Sequence, residues 1–290
     1  MRLLRFLSVM TLIIFVEGCS AQNADLSVDE IISRMTTTYS TASSYQDSGT
    51  IVVLKDSRAL EGRELISLLV ASDFEREERV TFNFSFRRPD HLKFEWKNKQ
   101  SRVNRESVVW SNSKGAFSWG TDFDEPDASF IFDKEKDLKW AIDEETRGSM
   151  GVGDILYATL GGSKESYSFS KLTNSRVIRT ETLSGKACYV ILGNIGNEPW
   201  VLWIDIETFV LRRFRTTIAT GSFGDAVASG YMPFTVGEFN HNNIVLNESI
   251  PDSVFDFKPE MRKGDIDISS YDDDGARPPA LPPLPKKPNE

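Results

Sequence analysis

The sequence predicts a mainly β, α+β fold in which antiparallel strands with one apolar face are accompanied by an N-terminal helix and a second short helix. Three observations lead there. Residues 80–96 alternate strictly between apolar and polar side chains. Helical spacing of apolar residues occurs near the start of the chain and again around residues 155–160. The segments between them are short apolar runs separated by turn residues, which is typical of strands joined by hairpins.

The alternating stretch is a predicted β-hairpin, and the other elements are arranged around it. Arg88-Pro89-Asp90-His91 supplies the turn, with proline at its second position. One face of this hairpin would then be almost entirely large and apolar, and each buried aromatic ring covers roughly 150–250 Å². Something must therefore cover this face, either the protein's own core or a ligand. Its residues are Val80, Phe82, Phe84, Phe86, Leu92, Phe94 and Trp96.

A helix is predicted to begin at Ser27, because Ser27 and Glu30 have the spacing of a capping box. Ile31, Ile32 and Met35 open an apolar stripe, which predicts packing against the core. Gly161 and Gly162 end a second, short helix that could be a movable flap or a plain connector. Residues 55–72 are expected to carry a loop and a short strand, and residues 217–232 a glycine-rich loop. Strands are expected at 45–54, 106–110, 114–119, 130–132, 138–142, 177–183, 187–192, 199–206, 209–216 and 234–246.

Composition excludes several functions. The 290 residues carry a formal net charge of −9, whereas a nucleic-acid-binding protein needs a basic face. The chain has two histidines, His91 and His241, and both are expected to be exposed rather than metal ligands. Cys188 is expected to be a buried small side chain rather than a reactive thiol. We find no phosphate loop, nucleophile elbow or zinc motif, so we predict no catalytic residue, no metal, no cofactor and a protein that is not an enzyme.

The N-terminal residues predict export. Residues 1–18 have the arginines and short apolar run of a signal peptide, and 19–26 would form a tether. Val16-Glu17-Gly18-Cys19 resembles a bacterial lipobox, which implies lipidation of Cys19 and an outer-membrane lipoprotein facing the periplasm. The alternative is ordinary cleavage after Ala21. We expect one folded domain over 27–259 and a disordered acidic and proline-rich tail over 260–290.

Several motifs, in order, resemble the LolA/LolB-like periplasmic lipoprotein carriers and related periplasmic proteins of unknown function. They cover about residues 27–259 and comprise 44–50 after the first helix, 86–95 around the Arg-Arg-Pro turn, 185–191, 202–213 and 250–257. The resemblance implies an incomplete antiparallel β-barrel around an apolar cavity, with helices as a lid. In carriers of this family the cavity holds lipoprotein acyl chains. This chain is longer than a typical carrier and has the proline-rich tail.

Together these observations predict a hydrophobic cavity lined by Phe82, Phe84, Phe86, Leu92, Phe94, Trp96, Trp110 and Trp119. The alternative is that these side chains pack against the two helices as ordinary core. The corresponding functions are binding of a lipid or a lipoprotein acyl chain, or a sensor module of the same fold that acts through an envelope protein partner. A third hypothesis, an envelope hydrolase, would require converging polar groups in a pocket.

Overall fold

The computed structural model of the chain describes residues 26–54, 62–71, 76–100, 103–121, 130–145, 147–162, 168–219, 234–261 and 265–269. The helices are α1 (Val28–Thr41), α2 (Gly62–Val70), α3 (Leu138–Glu145) and α4 (Val152–Thr159), with single 3-10 turns at Arg147–Ser149, Phe169–Lys171 and Asp252–Val254. The strands are β1 (Ser44–Leu54), β2 (Arg76–Arg87), β3 (His91–Gln100), β4 (Val103–Asn112), β5 (Gly115–Thr121), β6 (Phe130–Glu135), β7 (Thr173–Leu183), β8 (Lys186–Ile195), β9 (Glu198–Asp205), β10 (Leu211–Ala219), β11 (Phe234–Leu246) and β12 (Ile266–Asp267).

All the described strands belong to one sheet, ordered β12-β6-β5-β4-β3-β2-β1-β11-β10-β9-β8-β7. It consists of two antiparallel meanders, β2 to β6 and β7 to β11, and β1 joins them by pairing with β2 on one side and β11 on the other. The only parallel pair among the described strands is β12 with β6. The β7 and β12 edges do not pair with one another in this part of the chain, so the predicted mainly β fold with an open, incomplete barrel is confirmed.

This strand order determines where the helices lie. Strands β6 and β7 follow one another in the chain but belong to opposite ends of the sheet. The connection between them contains α3, a 3-10 turn and α4, and these elements pack on one face of the sheet. Helix α1 lies on the same face, and we call this covered face the inner face. The main apolar core lies between the inner face and these helices.

Local sequence explains the best-predicted elements. The Ser27 hydroxyl accepts a hydrogen bond from the Glu30 backbone N–H at 3.2 Å, as the capping box predicts. The stripe on α1 is buried against the sheet. Ser184 and Gly185 both have positive φ, 49° and 79°, which is the backbone of the two-residue hairpin turn that matches the twist of the flanking strands.

Two predicted strands are helices in the structure. Within residues 55–72 the described part is α2, because Leu65, Leu68 and Leu69 share one helical face that packs on the outer face of the sheet. Residues 138–142 belong to α3, where the Asp137 carboxylate accepts from the Trp140 N–H at 2.8 Å and so caps the first turn. The alternation of residues 138, 140 and 142 was misleading, since Trp140 is 49% exposed while 141 and 142 are buried.

The sheet also extends past residue 259, where the sequence placed the end of the domain. Strand β12 pairs with β6, and the Ile268 N–H donates to the Phe132 carbonyl at 2.8 Å. The Asp265 carboxylate accepts from the Phe130 N–H at 3.1 Å. Without β12, β6 would have an unpaired edge, and an open strand edge favours pairing of this kind. The predicted signal peptide, the predicted tether before residue 26, residues 220–233 of the predicted glycine-rich loop and the predicted tail from residue 270 lie outside the described residues.

Candidate functional site

Six of the eight side chains that the sequence assigned to a cavity lie on the inner face. In the β2–β3 hairpin Phe84 is opposite Phe94 and Phe82 is opposite Trp96, while Val109 of β4 is opposite Phe94. The rings of Phe84 and Phe94 pack with centroids 5.7 Å apart. All six are closed off from solvent with at most 2% of their surface exposed: Phe82, Phe84, Phe86, Leu92, Phe94 and Trp96.

Trp110 and Trp119 lie on the opposite, outer face. Trp110 is opposite Lys93, one position out of phase with the inward-facing Phe94, so strand alternation sends its ring outward. Phe257, from the segment after β11, packs edge-on over Trp110 with centroids 5.0 Å apart. Trp119 and Phe257 also border an outer groove of about 430 Å³. These two tryptophans therefore lie on the other face from the six predicted residues, of which Trp96 alone is also part of the groove lining.

The inner face is covered by short helices rather than by a second sheet. Ala141 and Ile142 of α3 and Ile155 and Leu156 of α4 reach into the core and are at most 4% exposed. Trp140, on the other side of α3, faces solvent. Residues 138–145 and 147–160 thus form an amphipathic cover, which we call the lid, and the space between lid and sheet is the chamber.

The lid backbone lies directly on the sheet at Gly148. A Cβ atom added there would lie 2.1 Å from Cη2 of Trp96, so only glycine lets the backbone lie on this ring. The Asn98 side chain, 7% exposed, donates from Nδ2 to the Gly148 carbonyl at 2.9 Å. Sequence analysis gave no role to Asn98, because its inward position follows from the β3 register and not from its polarity.

Arg88 fixes the end of the lid at Leu160. Its guanidinium donates to the Ser40 carbonyl at 2.7 Å, in the last turn of α1, and to the Ala42 carbonyl at 2.8 Å, just after that turn. It also donates to the Leu160 carbonyl at 2.8 Å just after α4. Carbonyl groups at helix C-termini lack intrahelical partners, and a cation there is favourable. The Arg-Arg-Pro motif is thus a pin that holds α1 and α4 against the β2–β3 turn.

The inner face also contains a polar cluster that sequence analysis missed. His241 was expected in an exposed polar loop, but it is 4% exposed in β11, opposite Gly49 of β1. Gly49 has no side chain here because the Phe82 ring lies over it, only 2.3 Å from where a Cβ would be. The other histidine, His91, begins β3 and is partly buried against Phe255. Period-two spacing from Phe239 was the signal that could have placed His241 inward.

Asp47 is the partner of His241. Its Oδ2 atom lies 2.6 Å from Nδ1 of His241 and also accepts the Tyr45 hydroxyl at 2.9 Å. A β-bulge between β1 and β11 lies at Asp47, and bulges of this kind re-aim a side chain. The rings of Phe82 and Phe214 surround the imidazole, each with its centroid 5.8 Å away. Burial raises the pKa of the Asp47 carboxyl, and the adjacent His241 opposes that shift.

Two atoms of this pair have no hydrogen-bond partner among the described residues, Oδ1 of Asp47 and Nε2 of His241. A net charge buried in an apolar core is costly, so the pair is expected to be neutral overall. In the ion-pair form both imidazole nitrogens carry hydrogen. In the form with a protonated Asp47, the carboxyl hydrogen lies towards Nδ1 and the imidazole hydrogen is on Nε2. Both of these forms place an N–H donor at Nε2, whereas a carboxyl hydrogen on Oδ1 would leave Nε2 as an acceptor, and an unpaired buried polar group of either kind costs about 1–3 kcal/mol.

The outer face has its own buried ion pair, which has a structural role. Arg215 and Glu238 are each 1% exposed and lie 2.6 Å apart. Arg215 also donates to the Leu69 carbonyl at 3.0 Å, at the end of α2, and lies over the Trp203 ring. These contacts fasten α2 to the outer face. The pocket of about 500 Å³ that Glu238 borders is lined mainly by polar and charged side chains.

Cys188 does not provide a reactive site. Cys188 is buried, and burial raises the pKa of its thiol to about 11, so it is unreactive at neutral pH. Among the described residues no group of three or more histidine, cysteine, aspartate or glutamate side chains is placed to hold a metal ion. None of the described helices has the length and apolarity needed to cross a bilayer.

Comparisons with known proteins identify similar solved structures only. No family model and no curated protein sequence matches the chain. The lipoprotein LppX of Mycobacterium tuberculosis is 14% identical, with 77% of this chain and 96% of that chain covered and a TM-score of 0.39. LprF of Mycobacterium bovis is 10% identical, with 77% and 94% covered and a TM-score of 0.40. The LolA superfamily protein NE2245 of Nitrosomonas europaea is 10% identical, with 79% and 97% covered and a TM-score of 0.28. At these sequence identities and TM-scores, the likeness concerns the fold alone.

Proposed function

We propose that this chain is a non-enzymatic cell-envelope protein that binds the acyl chain of a lipid or lipoprotein in the chamber between the inner face and the lid. In this proposal Cys19 is lipidated and anchors the protein on the periplasmic side, at the outer membrane. The observation that carries the proposal is the construction of the chamber. Among the described residues, an aromatic sheet face is covered by α1 and by the short helices α3 and α4.

The energetics suit an apolar ligand. Each methylene group that leaves water contributes about 0.8 kcal/mol, so an acyl chain needs few polar contacts to bind. The chamber is filled in this structure, since its six predicted residues are at most 2% exposed. A ligand must therefore displace part of the lid. The segment around Gly148, between α3 and α4, is the part expected to move, because Arg88 holds the lid at Leu160.

The filled chamber also favours a second candidate, a sensor or interaction module with the same fold. Such a module keeps its core closed and uses its surface, and Trp140 offers a large exposed aromatic ring on the lid. The two candidates differ in one observable property. Only a binding chamber brings a lipid tail into contact with tryptophans of the inner face.

The test is quenching of tryptophan fluorescence by dibromostearic acid, since bromine quenches an indole ring that it touches. The six tryptophans divide well for this purpose. Trp96 and Trp200 lie in the inner core, whereas Trp110 lies on the outer face. We expect Trp96→Phe and Trp200→Phe to remove most of the quenchable emission, and the matched control Trp110→Phe to leave it.

Two results would contradict the proposal. Emission that never responds to the brominated acid would exclude binding in the chamber. A signal lost in Trp140→Phe but kept in Trp96→Phe would place the lipid on the outside of the lid. Native mass spectrometry of the protein purified without detergent complements the test, because an adduct of lipid mass would identify a ligand retained from the cell.

A further inference from the structure

The unpartnered Nε2 atom of His241 is the strongest unexplained feature of the chamber. It belongs to a side chain that is 4% exposed, surrounded by the rings of Phe82 and Phe214. It has no hydrogen-bond partner among the described residues. Buried polar groups in folded proteins are almost always paired, so an unpaired one calls for an explanation.

The rest of the cluster orients the imidazole but gives Nε2 no hydrogen-bond partner among the described residues. Asp47 holds Nδ1 at 2.6 Å, and the Tyr45 hydroxyl holds Asp47 at 2.9 Å. The imidazole is therefore oriented through one nitrogen while the other is left available. In the ion-pair form of the Asp47–His241 pair, with Asp47 Oδ2 facing Nδ1 at 2.6 Å, that other nitrogen is an N–H donor. A donor fixed by a carboxylate inside an apolar space is suited to a ligand that is apolar except for one acceptor oxygen.

We propose that His241 Nε2–H donates a hydrogen bond to the carbonyl oxygen of an acyl ligand bound in the chamber, with Asp47 and Tyr45 as positioning residues. This inference rests on the function proposed above. It narrows the ligand to one whose chain carries a buried carbonyl group. That group can belong to a free fatty acid or to an esterified acyl chain, and the two sources share the acceptor that the site recognises.

The experiment compares three probes with the same brominated tail: dibromostearic acid, its methyl ester, and dibromooctadecane, which has no carbonyl. Each is delivered from cyclodextrin to the purified full-length protein, and affinity is measured from tryptophan quenching. We expect the wild type to bind the carbonyl-bearing probes about tenfold more tightly than the hydrocarbon, the typical value of one hydrogen bond that satisfies a buried donor. Tight binding of the acid alone identifies free fatty acid as the source, and tight binding of the ester as well identifies esterified chains.

The comparison variant replaces the whole cluster with apolar side chains of similar size, Tyr45→Phe/Asp47→Leu/His241→Phe. Changing all three avoids leaving one buried charge alone, which would threaten folding. We expect this apolar triple variant to bind the hydrocarbon like the wild type and to lose the carbonyl preference. The matched control is His91→Phe, which makes the same change at the other histidine, packed against Phe255 and outside the Asp47–His241 cluster. It should keep the preference.

An infrared spectrum gives a second measurement. The carbonyl band of the ligand would not shift if the cluster had only a structural role. With a carbon-13 carbonyl in the ester probe, the wild type should shift the carbonyl band to lower frequency, and the apolar triple variant should not. Equal affinity for the three probes, or a preference that survives in the triple variant, would overturn the inference while leaving the chamber itself intact. Failure of all three probes to bind the wild type would instead refute the proposed function, and this inference with it.

Discussion

The buried Asp47–His241 pair predicts a specific pattern of stability changes. The perturbation is to remove His241 alone, with His241→Phe, and to compare it with the apolar triple variant, Tyr45→Phe/Asp47→Leu/His241→Phe. The single change leaves the Asp47 carboxyl in an apolar core with the Tyr45 hydroxyl as its one described side-chain partner. The triple change removes every polar group of the cluster together.

The structure sets the magnitudes. Asp47 is 5% exposed and His241 is 4% exposed, so solvent cannot compensate a charge left alone. Breaking a buried ion pair on one side costs about 3–5 kcal/mol, whereas replacing the whole cluster with apolar side chains is often neutral or stabilising by about 1–4 kcal/mol. We therefore expect His241→Phe to be strongly destabilised and the triple variant to be at least as stable as the wild type.

Urea unfolding of the full-length protein, followed by tryptophan fluorescence, measures this. With a slope of about 2–3 kcal/mol per molar urea, the single variant should unfold about 1–2 M earlier than the wild type. The triple variant should recover that loss. A triple variant as unstable as the single one would refute the reasoning, because it would mean that the cluster stabilises the fold through packing and not through charge. Recovery would also indicate that the native sequence keeps a destabilising cluster, as expected of a binding site.

Two further predictions concern Arg88 and the turn that Asp205 closes between β9 and β10. Arg88→Lys should lower the stability of the ends of α1 and α4 by about 1–2 kcal/mol, since an ammonium replaces the planar guanidinium that reaches four carbonyls. Hydrogen exchange of the backbone amides at those ends measures this loss. Arg34→Lys on the exposed face of α1 is the control. At Asp205 burial raises the pKa, but hydrogen bonds from the Thr208 N–H, the Arg212 side chain and the Glu207 N–H outweigh it and leave the pKa below 3.8. This carboxylate therefore contributes stability above its unfolded pKa that is lost as pH falls through the lower folded value. Asp205→Asn should be less stable than the wild type at neutral pH, and the difference should begin to shrink below about pH 4 and go on shrinking as the pH falls through the folded value; a constant difference would contradict this.

The sequence motifs that suggested a family have physical roles in this chain. Arg87 stacks over Phe255 and pairs with Asp252 at 2.6 Å, which ties the final motif to the β2–β3 turn. Asp205 accepts from the Glu207 and Thr208 N–H groups at 3.0 Å each and closes the turn between β9 and β10. Both are structural contacts, so these motifs predict the fold and contain no information about a ligand.

The sequence by itself determined the local structure wherever one period governed a segment. Strict alternation identified the β2–β3 hairpin and its inward face, and the capping spacing at Ser27 identified the start of α1. Alternation failed for residues 138–142, where Trp140 is exposed and the Asp137 cap favours a helix. A short apolar run fits either period, so only its packing partner decides between strand and helix.

Tertiary structure decided everything that depends on register between distant strands. The phase of β4 against β3 sends Trp110 outward, although nothing in its own segment distinguishes it from an inward residue. The pairing of β1 with β11 brings Asp47 and His241 within 2.6 Å across 194 residues of sequence. Each reads alone as a polar residue suited to the surface. Long-range pairing makes them an enclosed, partly unsatisfied pair, because the register of β1 against β11 places both side chains on the inner face, which the lid covers.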